Sequence, residues 1–167
     1  KGGVLLFGDH KYPTIRKIID VTRYHDNLDF LRWQVLLAPH HCSKSVMYQD
    51  EEGKTVLKQD ILDDLEELQV GDGVIVSSSA SVPSTNSSGD NPPHAAAKAR
   101  YEEIARGGFL CTHDDGGHAE PLCFELLDAG LSFDGSFGAA QAGALAAAVS
   151  EARGGDSTPA EKVGFGG

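Results

Sequence analysis

Three short apolar runs, Val4-Leu5-Leu6-Phe7, Val35-Leu36-Leu37-Ala38 and Gly73-Val74-Ile75-Val76, each break off into residues that do not continue a strand. Gly8-Asp9 ends the first, Pro39 with His40-His41 ends the second, and a serine run ends the third. Apolar runs without polar alternation suit strands buried on both faces. Between the first two, Pro13 fits the first turn of a helix, and Ile15, Ile18 and Ile19 recur at helical spacing through about Tyr24. Strand, helix and strand in that order predict an α/β fold.

The rest of the chain extends the pattern. Residues 46–55 read as a polar loop, and residues 56–68 as an amphipathic helix whose stripe is Val56, Leu57, Ile61, Leu65 and Leu68. Its carboxylates, Asp60, Asp63, Asp64, Glu66 and Glu67, form the solvated remainder rather than a metal cluster. A long Ser/Asn/Pro loop follows the third strand, of a kind that is usually functional or unstructured. It leads to His94 and a helix for which Gly107 is the expected C-terminal cap. Further strands are expected at 109–112, 122–126 and 131–133. After Gly135 the sequence turns to Ala and Gly. The expected ordered domain is therefore 1–135, with 136–167 a loose tail that holds at most a short helix near 139–152.

Length and charge narrow the function classes. The 167 residues, 40% apolar, suffice for one core. The apolar runs fall far short of the roughly 20 residues that span a bilayer, so no membrane contact is expected in this segment. A net charge of −11 excludes a broad basic face for nucleic acid, leaving metal ions or another chain to hold any such substrate. Three cysteines make no disulfide framework and point to a reducing, cytoplasmic setting. The chain opens at Lys1 with no initiator Met, which suggests residues upstream.

In an open α/β sheet, ligands gather beyond the carboxyl ends of the strands. That rule selects a short list here: Asp9 and His10 after the first strand, His40 and His41 after the second, and His94 after the third with its loop. Thr112 and His113 follow the fourth. Five of the seven histidines thus fall at loop positions of one kind. Asp9 with one of the paired histidines would make a carboxylate and imidazole set of the kind zinc, manganese or iron accepts. In an extended segment His40 and His41 would point to opposite sides, so one should ligate and the other face substrate or support the site.

The order "VLLFGD", helix, "VLLAPHHCSKS", then "GVIVSSS…NPPHAAAKARYEEI" resembles the C-terminal half of the metallo-β-lactamase fold over residues 3–126. It is most similar to the ComEC-type DNA-uptake hydrolase domain and its free-standing relatives. The resemblance implies half of an αββα sandwich, with a mixed sheet and flanking helices. Asp9 would be a metal-bridging carboxylate and His40 the second ligand, with His41 the alternate. His41 and His94 would otherwise serve catalysis, and Ser43 and His10 would lie near substrate. The implied function is a metal-dependent hydrolase, phosphodiesterase- or nuclease-like, acting on a small-molecule or nucleic-acid phosphoester with two divalent ions, zinc or manganese.

Two departures qualify it. Cys42 stands where the family's P-H-H-G-S has Gly, so a positive φ there would strain the backbone. The family's H-x-H-x-D-H cluster, which belongs to the preceding half, does not occur in this chain. The segment alone is therefore expected to be an inactive fragment that needs its N-terminal half; otherwise it is a non-catalytic binding or accessory domain with a degenerate metal pocket.

Overall fold

A computed structural model describes residues 2–85, 91–115, 122–127 and 130–134. Residues 1–135 make up one compact unit. The tail expected over 136–167, with its short helix, lies outside the described residues.

Strands β1 (Gly3–Leu6), β2 (Trp33–Leu37), β5 (Gln69–Ser77) and β6 (Phe109–Cys111) form a parallel sheet in the order β1-β2-β5-β6. Helix α1 (Tyr12–Tyr24) joins β1 to β2, and helix α4 (Ala95–Ile104) joins β5 to β6. Between β2 and β5 come the single turn α2 (Pro39–Cys42), a hairpin of β3 (Tyr48–Glu51) and β4 (Lys54–Leu57), and helix α3 (Gln59–Glu67). A second hairpin pairs β7 (Cys123–Leu127) with β8 (Gly130–Asp134). The α/β expectation therefore stands. Among the described residues the expected mixed sheet is not seen: antiparallel pairing lies in the two hairpins and the four-stranded sheet is wholly parallel.

Register explains why the strands read as unbroken apolar runs. Leu5, Leu36 and Ile75 lie side by side on one face, with Val35 and Val74 on the other. The first face packs against Ile15 and Ile19 of α1, Ile61, Leu62 and Leu65 of α3, and Ala97, Tyr101 and Ile104 of α4. Those helical residues recur at three- and four-residue spacing, the stripe by which each helix buries one face. Trp33 anchors this core, fully buried, with its indole N–H donating to the Leu65 carbonyl at 3.0 Å. On the second face Val35, Val74 and Val76 pack with Leu37, Leu110, Leu122, Phe124 and Leu131.

Four sequence expectations change. The stretch read as a loop over 46–55 holds most of the β3–β4 hairpin, turned by Glu52 and Gly53 at positive φ. Val56 and Leu57 belong to β4, so the helix begins only at Gln59. One of the α3 carboxylates is docked rather than solvated: Asp64 pairs with Arg16 and Arg23 of α1, while the exposed Asp60 accepts from the Tyr12 hydroxyl at 2.8 Å. Gly107 is not the helix cap, a position held by Ala105. It is needed because a Cβ there would lie 2.2 Å from the Asp72 carbonyl oxygen. Among the described residues no helix is long and apolar enough to cross a membrane.

Candidate functional site

Because the four strands are parallel, their carboxyl ends share one rim. At that rim β1 runs into Gly8, which takes φ +58°, and then Asp9. Beside it β2 runs into Pro39 and a left-handed turn in which His40, His41 and Cys42 have φ of 49°, 54° and 63°. Each such non-glycine residue costs roughly 1–2 kcal/mol. The segment is therefore not extended, and the paired histidines are not related by the two-fold alternation of a strand.

What that turn accomplishes is visible in its bonds. The His40 amide donates to the Gly8 carbonyl at 2.9 Å, tying the β2 loop to the β1 loop. The His41 ring then bridges three strand ends. Its Nδ1 lies 2.8 Å from the Ser78 carbonyl beyond β5, and its Nε2 lies 3.3 Å from Asp9 Oδ1 beyond β1. A carbonyl can only accept, so Nδ1 donates to it and Nε2 is the nitrogen turned to the carboxylate. A cation must be shared between that nitrogen and the carboxylate oxygen, either a second ring proton or a metal ion. Solvent reaches both groups, with side chains 53% and 73% exposed.

His40 turns elsewhere. Its Nδ1 lies 3.2 Å from Ser45 Oγ. Burial first, then the Lys11 ammonium, hold its pKa below the ordinary histidine value despite the opposing pull of Asp9. At neutral pH it is an uncharged imidazole, the form that coordinates metals. Of the two histidines, His41 is the one brought to Asp9.

The other expected residues take distinct places. His10 is exposed and, with Asp9, Lys11, Thr14, Ser45, Tyr48 and neighbours, lines an open cleft of about 500 Å³. Ser43 is 3% exposed and its hydroxyl is engaged by Ser45, accepting from the Ser45 amide at 3.3 Å and lying 2.9 Å from its Oγ. His94 is also 3% exposed, and its Nδ1 accepts from the Lys44 amide at 3.3 Å. His113 pairs with Asp114 at 3.0 Å beyond β6, separated from β1 by two strands. Cys42 is fully buried, and desolvation pushes its thiol up to about 12, so it is no thiolate at neutral pH.

Sequence reasoning passed over Ser78, Ser45 and Lys44. Ser78 carried a usable signal, since it immediately follows a strand end; Ser45 and Lys44 act through a turn whose handedness sequence does not announce. Among the described residues no three His, Cys, Asp or Glu side chains are placed to hold a metal ion together. Asp9 and His41 thus fit a metal as two donors of the four or so it requires. Comparison with family models, curated proteins and solved structures finds no match for this chain.

Proposed function

We propose that this chain is the C-terminal half of a metal-dependent hydrolase of the metallo-β-lactamase fold, ComEC-like and acting on phosphoesters. One observation supports the reading above the rest: a carboxylate and an imidazole from different strands meet at 3.3 Å, and the imidazole's far nitrogen is held by a backbone carbonyl. That second bond fixes the tautomer with Nε2 toward Asp9, the outer-shell arrangement typical of metal-ligating histidines.

In this reading Asp9 and His41 hold divalent ions, zinc or manganese, together with ligands from the preceding half of the protein. Ions held there would supply Lewis acidity toward water and a phosphoryl oxygen. His40, kept neutral, stands as the alternate ligand. The cleft beside Asp9 receives the substrate, with His10 and Lys11 toward its charged group. The free thiols Cys42, Cys111 and Cys123 suit a reducing compartment such as the cytoplasm.

The alternative is a binding or accessory module with a degenerate pocket. It draws support from Cys42, which occupies a left-handed position where the resembled motif has Gly, and from the incomplete ligand set among the described residues. The test is hydrolysis of bis(4-nitrophenyl) phosphate by the full-length protein in Mn²⁺ or Zn²⁺. We expect metal-stimulated turnover that Asp9→Asn lowers by about a hundredfold or more. Turnover absent with every metal would sink the enzymatic reading and leave the binding module.

A further inference from the structure

His94 touches the left-handed turn at more points than any role in binding substrate would require. Its backbone N–H donates to the Cys42 carbonyl at 3.0 Å, and its Nδ1 accepts from the Lys44 amide at 3.3 Å. The Cys42 thiol lies 4.0 Å from the His94 carbonyl. That same carbonyl accepts from the Ala97 and Lys98 amides, which anchors His94 to the first turn of the ten-residue helix α4.

We infer that His94 is a positioning residue: it braces the left-handed His40–Cys42 turn against helix α4 and so sets the direction of the His41 ring. Three consecutive non-glycine residues in that conformation persist only where the surroundings over-determine them. The brace grips the turn at Cys42 and just beyond it at Lys44, while the Gly8 carbonyl grips it at His40. Between these fixed points His41 has one way to project, across the rim to Asp9 and Ser78. A ring that is 3% exposed, with Nδ1 committed to a backbone amide, suits this task better than exchanging protons with substrate.

The inference concerns the conformation of the turn and is measured without metal, so its failure is distinct from failure of the hydrolase reading. The experiment is NMR on this chain, following the His41 ring nitrogens and exchange of the His40 amide, with overall stability as control. His94→Leu removes the acceptor, and His94→Asn places a carbonyl oxygen near the position of Nδ1. Lys44→Pro removes the donor and sets a ring carbon against Nδ1, so it breaks the same contact from the other side; Ser43 already has the extended ψ of 137° that precedes proline.

Both His94→Leu and Lys44→Pro are expected to speed His40 amide exchange about tenfold and to mix the tautomers of His41. His94→Asn should restore both signals. Should His94→Leu not fold, Lys44→Pro decides the matter, since it breaks the same contact without replacing the histidine. Unchanged His41 and His40 signals in Lys44→Pro would overturn the brace, as would His94→Asn failing as fully as His94→Leu.

Discussion

Two neighbouring loops leave the same rim of the sheet and handle left-handed backbone in opposite ways. After β1 a single residue takes positive φ, and it is Gly8, with nothing within 4 Å of where a Cβ would stand. After β2 three residues take it in succession, and all carry side chains. The first loop turns at little cost and delivers a carboxylate that is largely solvated. The second is strained and delivers an imidazole held at both nitrogens. The difference teaches where the local sequence yields to the site: the backbone accepts three strained residues in succession where it must aim a ring.

The comparison can be broken most forcefully at Cys42. Valine there adds a β-branched side chain at φ 63° in a fully buried position, and should destabilise the fold by about 3 kcal/mol. Chemical denaturation reads this directly, and an unchanged midpoint would mean that the turn is not constrained as described.

A smaller effect is expected after β1. Gly8→Ala meets no steric obstacle, so its loss of about 1 kcal/mol comes from backbone conformation alone. A larger loss by the same measurement would show that the first loop is as constrained as the second.

The least effect on stability is expected from Asp9→Asn. The pair it breaks is solvent-exposed, so folding free energy should change by about 0.5 kcal/mol or less. If the residue serves a metal, affinity for added Mn²⁺ should nonetheless fall steeply. A substitution that changes stability and metal affinity in step would make Asp9 a structural residue instead.

Much of the architecture was legible because burial on two faces leaves a plain mark. The runs around Leu5, Leu36 and Ile75 announced buried strands, and Ile15 with Ile19 announced the first helix. The β3–β4 hairpin was missed because its residues, from Tyr48 to Leu57, are half exposed and mostly polar, without apolar alternation. At the site, placing Asp9 and the histidine pair after adjacent strands followed from the rule for open sheets. Which histidine reaches Asp9 did not follow, because that depended on handedness.

Sequence alone determined the order of the sheet strands and of the helices between them, the rim at which polar residues gather, and the presence of Asp9, His40, His41 and His94 among them. Only tertiary structure decided that His41 faces Asp9, that Ser78 holds its other nitrogen, and that His94 lies behind the turn. The physical reason is that periodicity records which residues are buried, a local property summed over neighbours. A left-handed turn at His40–Cys42 is locally unfavourable, and it is held by contacts with Gly8, His94 and Lys44, two of which are brought near only by the fold.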